Sequence, residues 1–193
     1  MFILERPGMK RKMRLVVIYV MLLLVITGCE NKTAESLIPG KEITLLLEPR
    51  PGNPKNFSGD FIRLKDGRIL YLYAYGVGDR VADDAPHCTV ARYSSDDGKT
   101  WTTDDIVVHI EGGLSFLRLP DDRIALFYLR ASNFGTELYP YMIISDDEAK
   151  TWSAPTKCVN EAGYYTINND RIVQLKNERI IIPVAFYGSG ESD

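Results

Sequence analysis

The chain has 193 residues, 45% hydrophobic and 25% charged, with a formal net charge of −3. That balance excludes a basic surface built for nucleic acid. The 3 cysteines and 2 histidines fall in no ligand spacing, so neither a metal nor a cofactor is expected.

The first 28 residues read as a targeting segment. Lys10, Arg11, Lys12 and Arg14 form a basic stretch ahead of an apolar run at 15–26, which is too short to span a bilayer comfortably. Ile26-Thr27-Gly28-Cys29 matches a bacterial lipobox, in which small residues precede a cysteine that becomes diacylated. Cys29 is therefore expected to anchor the protein to a membrane of a bacterial cell envelope; in a Gram-negative cell Glu30 after it favours the outer membrane, with the protein at the cell surface or in the periplasm. Residues 30–42 are polar, carry Pro39 and Gly40, and read as a tether to a globular part at 43–193. Loss of 1–29 removes five basic residues and one acid, leaving 18 against 25 and a net charge of −7. Such a surface does not steer an anionic ligand unless the site is locally basic.

From there on, period-two and β-branched runs predict strands only. The first set is 60–64, 68–75, 89–95 and 101–109. The second is 114–119, 123–130, 139–145 and 152–157, and a third begins with 170–175 and 179–187. Cys88 and Cys158 remain after lipidation. Export permits a disulfide between them, but two free thiols are the expectation.

Two motifs repeat out of phase along these strands. Leu64-Lys65-Asp66-Gly67-Arg68 is echoed by Leu119-Pro120-Asp121-Asp122-Arg123 and Leu175-Lys176-Asn177-Glu178-Arg179, at intervals of 55 and 56 residues. Each copy is strand, polar turn, strand, and strand-built repeats of this length indicate propeller blades. The second motif, Ser94-Ser95-Asp96-Asp97-Gly98-Lys99-Thr100-Trp101, reads S-x-D-x-G-x-T-W, the pattern known as an Asp box. Asp96 is suited to accept turn N–H groups, Gly98 to take positive φ, and Trp101 to bury its ring as the next strand starts. A second copy runs from Ser145 through Asp147 to Trp152, with Ala149 in the glycine position. That turn is expected to be more strained or of another type. Asp96 and Asp147 read as structural; the Asp96-Asp97-Gly98 run lacks the later ligands of a calcium loop.

Over residues 57–183 the chain resembles the sialidase superfamily, whose six-bladed propellers carry Asp boxes between the third and fourth strands of a blade. The likeness is closest at 83–101, DDAPHCTVARYSSDDGKTW, which resembles the first blade of trypanosomal sialidases. The resemblance implies an all-β fold, a partial six-bladed propeller of about two and a half blades, and reads the chain as the N-terminal part of a longer array. It also implies that the Asp-box turns face away from the active rim, which the 76–88 loop helps to build. In that loop, alongside Asp79 and Asp84, Asp83 lies eleven residues before Ser94, the offset of the family's general acid/base. Where the family has F-R-I-P, whose arginine grips the sialic acid carboxylate, this chain has Phe57-Ser58-Gly59-Asp60. Ser58 thus stands in the arginine's place, and Asp60 adds a negative charge. Independently of the resemblance, Arg171 is a candidate to face substrate from the start of the third blade, or to cap a strand entry with Asp170. Tyr164 and Tyr165 suit sugar stacking or packing between blades.

Three functions follow as expectations. The first is a surface-anchored glycoside hydrolase, most simply an exo-α-sialidase acting on a sialoside or other glycoconjugate. The second is a related hydrolase for another sugar, uncharged sugars included, which Ser58 motivates. The third is a non-catalytic carbohydrate-binding or scaffold lipoprotein.

Overall fold

The computed structural model describes residues 42–79, 87–103, 105–108, 112–132 and 136–188. Cys29, most of the tether, Asp83, Asp84 and His109 lie outside the described residues. From Thr44 onward the chain forms one unit, and all of its described regular structure is strand. Among the described residues no helix is long and apolar enough to cross a membrane.

A first repeat forms a four-stranded antiparallel sheet in the order β1 (Asn56–Arg63), β2 (Ile69–Gly76), β3 (His87–Ser94) and β4 (Asp105–Val108). A second supplies β5 (Ser115–Arg118), β6 (Ile124–Ser132), β7 (Glu137–Ser145) and the short β8 (Thr156–Lys157). The third contributes β9 (Tyr164–Ile167), β10 (Val173–Gln174), β11 (Ile180–Ile181) and β12 (Val184–Tyr187). The sheets are open. The second and third repeats share one, because β9 meets β7 through a parallel pairing at Leu138 and Tyr164.

The leucine-centred repeat is the same hairpin built three times. The N–H of Leu64, Leu119 and Leu175 donates to the carbonyl of Arg68, Arg123 and Arg179, and each leucine carbonyl accepts the N–H three residues on. That third residue is left-handed every time: Gly67 at φ 89°, Asp122 at 70° and Glu178 at 68°. A type I turn followed by a left-handed residue is a common three-residue hairpin connection. Asp66, Asp121 and Asn177 accept the N–H of the arginine two residues on. The register beyond the turn is also conserved between copies: Ile62 faces Leu70, Leu117 faces Ala125, and Val173 faces Ile181.

The predicted strands need three corrections. The fourth strand of each complete repeat starts later than expected, at Asp105 and Thr156, since Trp101 and Trp152 lie in the coil after the turn. The third repeat begins earlier, with β9, where no strand was expected. Its hairpin is then interrupted: residues 168–172 stand opposite Ile182 and Pro183 alone. Pro183 has no N–H to give the ladder, and Asp170 bends the other side at φ 51°.

The repeats pack face to face. Ile62, Leu64, Leu70 and Leu72 of the first meet Phe116, Leu126, Ile143 and Trp152 of the second. The other face of the second repeat, with Leu117, Ala125, Phe127 and Leu129, packs on Ile167, Ile172, Ile180 and Ile182 of the third. Burying apolar side chains on both faces is what makes the middle sheet nearly continuous in hydrophobic residues.

Candidate functional site

Each four-stranded repeat has two ends. One carries the leucine-centred turn and the S-x-D-x-G-x-T-W turn; the other carries the loop between the second and third strands. The chemistry of the two ends differs.

At the turn end, Ser94 and Asp96 act as a pair. Ser94 Oγ donates to Asp96 Oδ1 at 2.9 Å and accepts the Gly98 N–H at 2.8 Å. Asp96 accepts the Thr100 N–H and hydroxyl at 2.8 and 2.7 Å. Those bonds, the Thr100 N–H first, hold the Asp96 carboxyl down at about 2. Ser145 and Asp147 repeat the pattern with Ala149 and Thr151, and the Thr151 hydroxyl and N–H hold Asp147 at about 2. The second turn is therefore of the same type as the first, not another type. Strain is how it accommodates alanine: Ala149 sits at φ 65°, where Gly98 sits at 83°. Both carboxylates are committed to turn N–H and hydroxyl groups, an arrangement that holds a hairpin closed.

Trp101 is half-buried rather than enclosed. Its indole N–H donates to the Gly98 carbonyl at 3.1 Å, and its ring leans on Phe61 and Tyr71. Trp152 packs into the first core, and its buried indole nitrogen has no hydrogen-bond partner.

At the opposite end, residues 50–55 brace the start of the 77–86 loop. Gly76 and Gly78 donate to the carbonyls of Lys55 and Gly52, and Asp79 accepts the Gly52 N–H at 3.3 Å. Where the loop returns, His87 meets Phe57 edge-on at 5.3 Å, and the Lys55 ammonium lies 4.8 Å over the same ring. Asp83 and Asp84, between these supports, lie outside the described residues. In the second repeat Ser132 donates to Glu137 at 3.1 Å. Tyr139 is covered by the Lys157 ammonium at 3.2 Å and neighbours Tyr165, which packs on Phe186 at 4.8 Å. Tyr165 is buried packing, whereas Tyr164 is exposed and meets Tyr187 edge-on.

The Phe57-Ser58-Gly59-Asp60 stretch has a specific structure. Ser58 occupies a β-bulge at φ 44°, and its Oγ accepts the Gly113 N–H at 3.5 Å. Gly59 follows because a Cβ there would come within 2.6 Å of the Tyr71 ring. Asp60 is buried and bridges two repeats: one carboxylate oxygen accepts its neighbour Phe61 N–H and the other the Phe116 N–H, both at 2.6 Å. Burial pushes this carboxyl up to about 6 despite those two bonds, and the Asp170 carboxylate adds to the rise.

Asp60, Ser115 and Arg171 each stand four residues before the repeated leucine. Asp60 and Ser115 are buried and Arg171 is exposed. The sequence pattern flagged Arg171 but missed Asp60 as a bridge between repeats; the shared offset from the leucine was the available signal. Cys88 and Cys158 are unbridged, and burial pushes the Cys158 thiol up to about 11. Among the described residues no cluster of His, Cys, Asp and Glu is arranged to hold a metal ion.

No protein-family model matches the chain, and no curated protein matches it. Solved structures do resemble it. A protein of unknown function from Dyadobacter fermentans DSM 18053 aligns over 74% of this chain and 50% of its own, with TM-score 0.52 and 19% identity. The Hadza microbial sialidase Hz136 aligns over 72% of this chain and 34% of its own, with TM-score 0.52 and 12% identity. The chain thus spans about half and about a third of these two proteins. What the likeness establishes is an all-β, sialidase-like fold.

Proposed function

We propose that the chain supplies the first blades of a sialidase-type propeller and works as a glycoside hydrolase on glycans outside the cell, held there by a lipid on Cys29. The observation that carries this reading is the conjunction of two things. One is the hairpin built three times at one spacing, with the S-x-D-x-G-x-T-W turn built twice. The other is the likeness of that arrangement to a sialidase structure. On this reading Asp83, on the loop opposite the turn end, protonates the leaving glycosidic oxygen and then takes a proton from the attacking water.

A second reading, a hydrolase for a sugar without a carboxylate, is favoured by Ser58. On the sequence resemblance Ser58 stands for the carboxylate-gripping arginine, and its hydroxyl, bonded to Gly113, offers no bidentate guanidinium. Asp60 cannot substitute, being a carboxylate engaged by two backbone N–H groups. Assay of the native protein on a fluorogenic sialoside beside neutral aryl glycosides decides between the two. Turnover of the sialoside supports the first, turnover of a neutral glycoside alone supports the second, and turnover of neither removes hydrolysis. Anchoring is tested separately by Cys29→Ala, which should move the protein out of the membrane fraction or block its processing; unchanged membrane retention with normal signal cleavage removes the lipid.

A further inference from the structure

The first two repeats differ at one position beside the turn end. Tyr93 and Ile144 are equivalent: each stands one residue before the turn serine and exchanges hydrogen bonds with the residue after the tryptophan. The Thr102 N–H donates to the Tyr93 carbonyl at 2.9 Å, and the Tyr93 N–H to Thr102 Oγ1 at 3.0 Å. Ser153 and Ile144 repeat this at 2.8 and 3.0 Å. Arg68 and Arg123 are equivalent too, each tied through Nε to the carboxylate two residues back. In the first repeat the Arg68 guanidinium lies 5.0 Å over the Tyr93 ring.

In the second repeat isoleucine replaces that ring, and a groove of about 340 Å³ opens there, lined by Arg123, Ile144, Asp146, Thr151, Trp152 and Ser153. All six belong to the second repeat, which has a neighbour on each side within this chain, so further repeats would leave the groove open. Ile144 and the Trp152 ring give it apolar walls, and Asp146 offers a carboxylate at the exposed rim. Asp121 holds Arg123 through Nε and Nη2, which leaves Nη1 to donate elsewhere. The indole N–H of Trp152 is buried without a partner, whereas that of Trp101 reaches the Gly98 carbonyl. Such an orphaned donor is rare in native proteins. Apolar walls with a few polar groups of both kinds suit a small-molecule ligand.

We propose that this groove binds one neutral sugar ring of a glycan. The apolar face of the ring packs on Ile144 and Trp152, and its hydroxyls donate to Asp146 and accept from Arg123 Nη1. Two carboxylates, Asp121 and Asp146, stand against one guanidinium, so an anionic sugar is disfavoured. The site lies at the turn end, away from the Asp83 loop. It holds a glycan whether or not the protein cleaves one.

Trp152 reports on its own groove. Trp101→Phe leaves it the sole tryptophan. The full chain in mild detergent is titrated with glucose, galactose, mannose and N-acetylglucosamine while indole emission is followed. None of these has a glycosidic bond, so the result does not depend on hydrolysis. At least one should give a saturable shift at millimolar concentration. Ile144→Tyr, which restores the ring of the first repeat, should abolish the shift, and Asp146→Ala should weaken binding at least tenfold. Far-UV circular dichroism checks folding, and Ile144→Phe replaces Ile144→Tyr if that variant fails it. No response to any of the sugars overturns the proposal. So does a shift that survives Ile144→Tyr, which places binding elsewhere, or a response to phenol alone, which makes the groove a site for an aromatic ring.

Discussion

Arg118 and Glu148 form a two-pronged ion pair, Nη1 to Oε1 at 2.6 Å and Nη2 to Oε2 at 3.0 Å. The pair also grips the neighbouring repeat: Glu148 accepts the Lys65 N–H at 2.7 Å, and Arg118 donates to the Arg63 carbonyl at 2.9 Å. Glu148 is the left-handed residue just before Ala149, at φ 61°. The strained turn of the second repeat is thus what aims a carboxylate at the first. The Arg118 guanidinium holds the Glu148 carboxyl below its ordinary range.

Glu148→Gln should cost about 1 kcal/mol, because it weakens a half-buried charge-assisted contact and leaves Arg118 without its counter-charge. A depressed carboxyl contributes stability above its unfolded pKa and loses it as pH falls through its folded one. The deficit of the variant should therefore shrink in acid. Urea unfolding at pH 7 and pH 3 measures this; an equal deficit at both values would show that the ion pair is not its source.

Asp60 gives the opposite sign. Its carboxyl is raised to about 6 in the fold, so between its ordinary value and that point the folded state holds a proton the unfolded state has lost. Its contribution is fullest below the unfolded pKa and disappears as pH climbs through about 6. Asp60→Asn should remove this dependence, changing the difference from wild type by on the order of 3 kcal/mol between pH 4 and pH 7. Parallel stability curves for the two proteins would contradict it.

At Gly98 an added Cβ meets only the Trp101 ring, at 3.7 Å, so the cost of Gly98→Ala is conformational: its φ is 83°. The expected loss is about 1 kcal/mol. The converse, Ala149→Gly, relieves the same strain but removes a buried methyl worth about 0.8 kcal/mol, so the two effects nearly cancel. Denaturant midpoints of the two variants test the asymmetry, and equal losses would mean that the turns do not share this strain.

For Asp83, Asp83→Asn in the native protein should abolish most turnover of natural glycosides while sparing aryl glycosides with good leaving groups, which need little protonation. Asp79→Asn should matter less, since Asp79 is bonded to the Gly52 N–H. Unchanged rates on a natural substrate would take Asp83 out of the chemistry.

The hairpins were legible because their turns demand particular residues. A left-handed position followed by arginine recurs at Gly67, Asp122 and Glu178, and Ser94 with Asp96 announces its own hydrogen bonds. Trp101 was harder. Its type suggests burial, but its placement depends on where the next strand begins, and the coil at 101–103 delays that strand. The break in the third repeat was hidden for another reason. The apolar run Ile180-Ile181-Ile182-Pro183-Val184 looks continuous, and only the missing N–H of Pro183 marks the interruption. The bridging roles of Asp60 and Glu148 were missed because their partners, Phe116 and Arg118, sit 56 and 30 residues away in the chain; the offset of Asp60 from Leu64 marks its position but not its partner.

The pairing of Leu138 with Tyr164 bears on what substitution can undo. It laces the third repeat to the second through backbone, with the Leu138 N–H donating to the Gly163 carbonyl. Across the junction between the first and second repeats, every described hydrogen bond instead involves a side chain, from Ser58, Asp60, Arg118 or Glu148. Substitution can therefore dissolve the hydrogen bonds of the first junction one at a time, whereas at Leu138 the donor is backbone and only proline removes it.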